Sequence, residues 1–198
     1  MASLSLALIV FLFPLAFSPG PGNMFFAANG ARFGLRATLP ANAGYHVATL
    51  IVAMAIGLGA LAALQSYPAV FGLLKTAGAL YVLWLAWGML RSGAHSKQAD
   101  ARPAGFGSGA LLLLLNPKAY VIIALMFSQF MADAGANDWQ RVAVISGIFT
   151  LNNMVAFVVW TIVGDQLAAR FRDEKSARRI NIAFAGTLDA VALWMLLA

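Results

Sequence analysis

An apolar segment near the N-terminus contains, close to its middle, the sequence Ser18-Pro19-Gly20-Pro21-Gly22-Asn23. Proline lacks a backbone N–H and its ring clashes with the preceding turn, so a straight helix cannot run through these residues. Carbonyls before the break lose their partners, and the residues after it present a new helix N-terminus. We therefore predict a first apolar helix that is broken near its centre.

A second break of this kind is predicted at Asn116-Pro117-Lys118, near the middle of an apolar segment that runs from Gly105 to Met131. Unpaired backbone groups inside a bilayer are tolerated only against protein or water. Interruptions in corresponding helices of two halves are typical of a transporter whose substrate binds between the halves. Two proline kinks with no role in binding are the alternative interpretation.

The composition is typical of a membrane protein. Of the 198 residues, 62% are apolar and 10% are charged, whereas roughly 25% are charged in an ordinary soluble domain. A membrane-crossing helix needs about 20 apolar residues, so the chain has room for about six such helices and little else. The predicted spans cover about 4–29, 38–64, 69–91, 105–131, 140–165 and 179–197.

The positions of the basic residues predict the orientation of these spans, because Lys and Arg in short loops stay on the cytoplasmic side. Ten of the 13 basic residues fall in three alternate loops, and the opposite side has almost none. Both termini are therefore predicted to lie outside the cytoplasm. The ten residues are Arg32, Arg36, Arg91, Lys97, Arg102, Arg170, Arg172, Lys175, Arg178 and Arg179.

A polar, cytoplasmic segment at about 92–104 divides the chain into halves of about 1–92 and 104–198. Each half has three spans, and an odd number makes the second half enter the membrane from the opposite face, as in an inverted repeat. The predicted fold is an all-α integral membrane protein with one transmembrane domain over residues 1–198. Its six transmembrane helices form two inverted three-helix halves, and the first and fourth helices are broken by proline.

Lys118 is predicted to lie too deep in the fourth span for its ammonium group to reach water easily. It needs an anion or a cavity, and a substrate carboxylate would suit it, helped by the positive helix ends at the two breaks. The alternative is a fixed ion pair with Asp189, roughly 15 Å into the sixth span. Asp189 is also a candidate proton carrier, because carboxylates inside membrane segments often belong to proton relays.

Polar side chains recur at helical spacing on the second and fifth predicted spans. Facing lipid would be unfavourable, so both stripes are predicted to face the bundle interior, where they line a cavity or join helices by hydrogen bonds. His46 is a second candidate for proton coupling, since histidine titrates near neutral pH, and a neutral, hydrogen-bonded histidine is the alternative. The stripes are Thr38, Asn42, Tyr45, His46 and Thr49, and Ser146, Thr150, Asn153 and Thr161.

Several classes of function have no support in the sequence. The chain has no cysteine, which excludes a disulfide framework, a thiolate zinc site and a cysteine nucleophile. The net charge of +6 comes from scattered basic residues, so no nucleic-acid partner is expected. Motifs for ATP binding, metal binding and catalysis do not occur, so we expect no cofactor and no enzyme. An intramembrane enzyme or redox carrier, or an assembly factor without transport, is the rival function.

Further motifs accompany the two breaks. They are Gly30-x-x-x-Gly34, Leu74-Lys75-x-x-Gly78-Ala79-x-Tyr81, Trp87-Gly88-Met89-Leu90-Arg91, Gly105-Phe106 and Leu115-Asn116-Pro117-Lys118-Ala119. With these motifs the chain resembles, over nearly its whole length, the LysE/RhtB family of lysine exporters and homoserine/threonine resistance proteins. The resemblance implies a six-helix secondary transporter of the bacterial inner membrane that exports amino acids or related zwitterions by proton exchange.

The predicted substrate site combines the two breaks with the polar stripes. The expected partners are a small amino-acid-like molecule and the lipid bilayer, and assembly into a homo-oligomer is left open. Asp189 and His46 are the candidates for proton coupling. The predicted substrate-binding residues are Pro19, Gly20, Pro21, Asn23, Asn42, Asn116, Pro117, Lys118 and Asn153.

Overall fold

The computed structural model describes residues 2–60, 102–131 and 139–170, and also 76, 77, 80, 81, 83, 84, 87, 179, 182, 183, 185–187, 189, 190 and 193. All regular elements in these parts of the chain are helical, as predicted. The predicted third and sixth spans and the polar linker lie largely outside the described residues. Helices α1 to α5 cover Ala2–Phe17, Pro21–Ala55, Phe106–Leu114, Pro117–Phe130 and Trp139–Arg170, and a π-helical turn over Ile56–Ala60 follows α2.

The predicted break in the first helix is present. Helix α1 ends at Phe17 and α2 begins at Pro21, a first helical position at which the missing N–H has no helical partner to lose. Gly20 takes the N-cap position of α2 with an extended backbone, at φ −170° and ψ 175°. The chain therefore leaves the helical path over residues 18–20.

The second predicted break is also present. Helices α3 and α4 are separated by Leu115 and Asn116, and their axes differ in direction by 64°. Asn116 caps α4, because its side-chain oxygen accepts a hydrogen bond from the Lys118 N–H at 3.2 Å. The Asn-Pro pair thus ends one helix and starts the next at an angle.

Helix α2 reverses its direction at Gly34. Along a continuous helix Phe26 and Tyr45 would be about 28 Å apart, yet their ring centroids are separated by 5.9 Å. Gly34 has φ 79° and ψ 170°, a conformation that is essentially restricted to glycine. The Leu35 N–H that follows donates to Asp165 Oδ2 on α5 at 3.3 Å. Residues 21–33 therefore continue the broken first span, and residues 35–55 return as the predicted second span.

Helix α5 packs tightly along α2. A Cβ added to Gly30 would collide with the Thr161 carbonyl, and one added to Gly164 would collide with the Ala27 carbonyl. Small residues allow helix backbones to approach this closely. Helix α3 lies equally close to α2 through Gly44 and Gly109. These approaches fix α2, α3 and α5 around the two breaks.

The bundle has an apolar outside as well as an apolar core. Leu8 and Leu12 of α1 are fully buried against α4 and α5, whereas Ile51, Trp139 and Leu151 are each about three-fifths exposed. Pro21–Gly59 and Trp139–Arg170 have the length and composition of membrane spans, although the first is divided by the reversal at Gly34, and the bent pair α3–α4 can form a further span. An apolar surface around crossing helices is the arrangement of a multi-pass membrane protein.

Candidate substrate-binding site

One small cavity between α1, α2, α4 and α5 is lined by residues on either side of the first helix break and by Asn116 at the second. The volume open to the centre of a water molecule is about 20 Å³, enough for a single water. The lining comprises five polar residues, Asn23, Tyr45, Asn116, Lys118 and Asn153, and the apolar residues Leu15, Ala16, Ala119, Ile122, Phe149 and Phe157.

Lys118 connects the two breaks. Its side chain starts on α4 and is half-buried, and its Nζ donates to the Ser18 carbonyl at 2.7 Å and to the Ser18 hydroxyl at 2.9 Å. A longer contact, 3.4 Å, reaches the Pro19 carbonyl. The ammonium group is therefore held by two backbone carbonyls at the proline break and by the Ser18 hydroxyl.

Two asparagines complete the hydrogen bonds of the breaks. Asn23 Nδ2 donates to the Ala16 carbonyl at 2.9 Å and so links the start of α2 to the end of α1. Asn116 Nδ2 donates to the Tyr45 hydroxyl at 3.0 Å, while its Oδ1 caps α4. Both asparagines are at least 95% buried, so each bond is made out of contact with bulk solvent.

His46 lies behind the cavity wall. Its Nδ1 is 2.8 Å from the Asn42 carbonyl, which can only accept, so Nδ1 carries the proton. Its Nε2 is 3.5 Å from Asn153 Nδ2 and is left as the acceptor. Asn153 lines the cavity, so this contact connects the His46 imidazole to a polar group of the lining.

Aromatic rings form one wall of the site. The Phe157 ring centroid lies 4.7 Å from that of Tyr45, 5.0 Å from that of Phe26 and 5.3 Å from the His46 imidazole. Gly22 makes this packing possible, because an added Cβ would meet Phe157 Cζ at 2.5 Å. Sequence reasoning did not include Tyr45 or Phe157 among the site residues. The position of Tyr45 on the polar stripe of the second span could have indicated it, whereas nothing in the sequence distinguished Phe157 from the other phenylalanines.

The structure brings most of the predicted substrate-binding residues together. Asn23, Asn116, Lys118 and Asn153 line the cavity. Pro19 and Gly20 lie in the first break, and Pro21 and Pro117 begin the helices that follow the two breaks. Asn42 is buried and contributes its backbone carbonyl to His46.

Asp189 does not belong to this group. Its side chain is half-buried and is absent from the described lining of the cavity. Although the structure describes both residues, the Lys118 ammonium makes its polar contacts with Ser18 and Pro19 and forms no ion pair with Asp189.

The prediction that the two polar stripes face the interior is confirmed for most of their members. Ser146 is completely buried, and its hydroxyl has no hydrogen-bond partner in the described part of the chain. Buried members of the stripes are Thr38, Asn42, Tyr45, His46, Thr49, Ser146, Asn153 and Thr161.

Comparison with known proteins agrees with the motifs. A family model described as LysE type translocator matches residues 13–198. A cysteine/O-acetylserine efflux protein of Salmonella typhimurium is 29% identical over 171 residues, which cover 86% of each chain. An uncharacterized membrane protein of Vibrio cholerae is 32% identical over 189 residues, covering 91% of this chain and 89% of its own length.

A leucine efflux protein of Enterobacter sp. strain 638 is 23% identical over 186 residues, covering 91% of this chain and 88% of the relative. No solved structure matches the chain. The family match spans both helix breaks and every residue that lines the cavity. The chain therefore belongs to the LysE type translocator family.

Proposed function

We propose that this protein is a secondary active transporter that exports amino acids or closely related small zwitterions across the bacterial inner membrane. The observation that carries the proposal is the meeting of two helix breaks, 100 residues apart in sequence, at a cavity whose described lining has one charged side chain, Lys118. Two similar relatives are named as efflux proteins for cysteine and O-acetylserine and for leucine, which supports the direction and the substrate class.

The substrate carboxylate is assigned to Lys118. Helices α2 and α4 both begin at this cavity, and a helix N-terminus favours negative charge. Asn116, Tyr45 and Asn153 add neutral hydrogen-bonding groups, and the phenyl rings and aliphatic side chains provide apolar surface. Such a lining suits a small anionic group attached to a compact organic body.

We propose proton exchange as the energy source, with His46 and Asp189 as the coupling candidates. His46 is the better placed of the two, since Asn153 connects it to the cavity. A residue that serves only in coupling is dispensable when substrate on one side exchanges for substrate on the other. His46→Gln should therefore keep amino-acid exchange in proteoliposomes and lose export driven by a proton gradient. Loss of both activities in a correctly folded variant would argue against a coupling role.

The six-helix inverted repeat is the architecture that we propose for the whole chain. In its support, α1 with residues 21–33 and α3 with α4 are both apolar helix pairs that are interrupted by proline. Each pair begins one predicted half. In this arrangement the two termini lie outside, and the arginines beside the Gly34 reversal face the cytoplasm.

The test of the function is an efflux panel. Cells that carry the protein are fed dipeptides so that single amino acids accumulate inside, and the medium is assayed for leucine, cysteine, O-acetylserine, threonine and lysine. We expect faster appearance of at least one neutral amino acid than in cells with an empty vector. Ser128→Ala is a suitable control, because Ser128 is exposed and its hydroxyl donates to the Leu125 carbonyl of the same helix. No accelerated efflux of any panel member at normal protein abundance would refute the proposal.

A further inference from the structure

We propose that the carbonyl oxygens of Ser18 and Pro19, which lie beside the cavity and bind the Lys118 that lines it, form the ammonium subsite for the substrate, and that Lys118 occupies this subsite until the α-ammonium group of a substrate displaces it. The inference rests on the proposed function and adds which atoms recognise the amine. It assigns Lys118 two successive partners, first the carbonyls of the broken helix and then the carboxylate of the substrate.

The chemistry of the existing contact is that of a primary ammonium group. Lys118 Nζ has three N–H donors, and three oxygen acceptors lie 2.7, 2.9 and 3.4 Å from it. An amino acid carries the same –NH₃⁺ group on its α-carbon. Oxygens that hold the lysine group can therefore hold that of a substrate.

The Ser18 and Pro19 carbonyls differ from their neighbours at the first break, which accept hydrogen bonds from groups of the same helix pair. The Ala16 carbonyl accepts from Asn23, the Leu15 carbonyl accepts from the Ser18 hydroxyl, and the Gly20 carbonyl accepts from the Met24 N–H. In a continuous helix the Ser18 and Pro19 carbonyls would accept from the N–H groups four residues later. Here they face the lysine instead.

Gly20 gives the lysine side chain its path to these oxygens. A Cβ added to Gly20 would lie 2.9 Å from Lys118 Cδ and 3.0 Å from Nζ. Since the Gly20 backbone is extended, alanine can adopt its conformation without strain. Glycine is therefore needed here to leave room for the Lys118 side chain, and not to allow an unusual backbone conformation.

The exchange keeps every charge paired. Ammonium and carboxylate groups of an amino acid are attached to the same carbon, so a molecule whose amine takes the carbonyls brings its carboxylate next to the displaced lysine. The flexible stem of Lys118 allows its Nζ to move from one partner to the other. A zwitterion thus replaces the contact between Lys118 and the carbonyls with two contacts, one between its ammonium group and the carbonyls and one between its carboxylate and Lys118.

Compounds that carry one of the two groups lack this advantage. An amine without a carboxylate would leave two ammonium groups side by side, and a carboxylate without an amine would leave the carbonyls unpaired when the lysine moves. Without the lysine, an amine meets no second ammonium group, and the Ser18 and Pro19 carbonyls are open to bind it. Lys118→Met should therefore bind an amino-acid amide more tightly than the wild type does.

The experiment measures binding to the purified full-length chain in detergent by isothermal titration calorimetry. The probes are glycinamide, cysteinamide and leucinamide with the corresponding amino acids, at about pH 6.5, below the usual pKa of an α-amino group. We expect at least one amide to bind Lys118→Met tenfold or more tightly than the wild type. The amino acid that is exported should bind the wild type more tightly than Lys118→Met. Equal or weaker binding of all three amides to the variant would overturn the proposal.

Gly20→Ala provides a second route if the lysine variant does not fold. Its methyl group would push the flexible end of Lys118 away from the carbonyls, so amide binding should rise above that of the wild type. Gly105→Ala is the matched control, because Gly105 is also an N-cap glycine and an added Cβ would meet nothing within 4 Å. Unchanged amide binding in Gly20→Ala would count against the subsite. Failure of the proposed function would instead appear in the efflux panel, whatever the amides do.

Discussion

Lys118 and Ser18 lie 100 residues apart in sequence, and the Nζ of one donates to the backbone carbonyl of the other at 2.7 Å. This bond joins the helix break of the first apolar segment to that of the second. It also supplies the half-buried lysine with acceptors although no carboxylate in the described part of the chain pairs with it, since carbonyl oxygens at a helix break carry the partial negative charge that an ammonium group requires. A movement that separates the breaks must first release this lysine.

Lys118→Met is expected to reduce export at least tenfold at unchanged membrane abundance, because the substrate carboxylate loses its cationic partner. Adding Asp189→Leu should not restore export. Were the two residues a structural ion pair, removing both would relieve the unpaired charge left by the single variant and would recover stability and transport together. The measurement is initial efflux rate normalised to protein in the membrane fraction. Full recovery in the double variant would exclude the substrate-binding role.

Tyr45→Phe tests the hydrogen bond that connects α2 to the second break. The ring would stay packed against Phe157, while Asn116 would lose its acceptor. A hydrogen bond contributes about 0.5–1.5 kcal/mol net, so substrate affinity should fall roughly twofold to tenfold. Tyr120→Phe is the control, because that hydroxyl bonds the Leu114 carbonyl on the exposed side of α4. Equal apparent KM values in the two variants would show that the Tyr45 bond does not support binding.

The helix breaks were predictable because proline and glycine act on the backbone locally. The two predicted breaks are present, and Pro21 and Pro117 each stand at the first position of the helix that follows, where proline is tolerated. The predicted reversal between the first two spans is also present, although the sequence did not single out Gly34 as the residue that makes it.

The partners at the site were less predictable. Lys118 was expected to need an anion, and the depth of Asp189 in its own helix suggested the pair. Depth alone does not determine how two helices are rotated or how far apart they lie, so it cannot identify a contact. Two of the three acceptors present are backbone carbonyls, which every residue has and which therefore cannot be identified from a sequence, and the third is the Ser18 hydroxyl. The ring of Phe157 was missed for a similar reason, since apolar side chains are abundant in every span.

Gly34→Ala should destabilise the protein by about 1–2 kcal/mol, because alanine is strained at φ 79°. Space does not limit this substitution, as the nearest atoms to an added Cβ are the Asp165 carboxylate oxygens at 3.8 Å. Gly147→Ala on α5 is the control, since Gly147 is helical and an added Cβ would meet nothing within 4 Å. Stability is measured by unfolding in mixed micelles with increasing dodecyl sulfate. Equal midpoints for the two variants would contradict the role of Gly34 in the reversal.

The orientation of the chain can be tested without removing any native cysteine, because none is present. We introduce single cysteines at positions 2, 97, 136 and 175 and add a membrane-impermeant maleimide to intact cells. Labelling is expected at 2 and 136 only, since the basic loops that contain Lys97 and Lys175 should face the cytoplasm. Permeabilised cells should show labelling at all four positions. Labelling at 97 in intact cells would contradict both the orientation and the inverted repeat.

Pro21→Ala and Pro117→Ala are each expected to reduce export at least tenfold while leaving insertion into the membrane largely intact. Alanine restores an N–H and removes one proline ring from each break, which favours extension of the helix toward the carbonyls that the breaks expose. Pro40→Ala is the matched control, because Pro40 is exposed inside α2 and lines no part of the described cavity. Efflux rates are compared at equal abundance, with circular dichroism to report helix content. Normal export by both break variants would mean that the two prolines serve only as kinks, and the carbonyl subsite would then lose its structural basis.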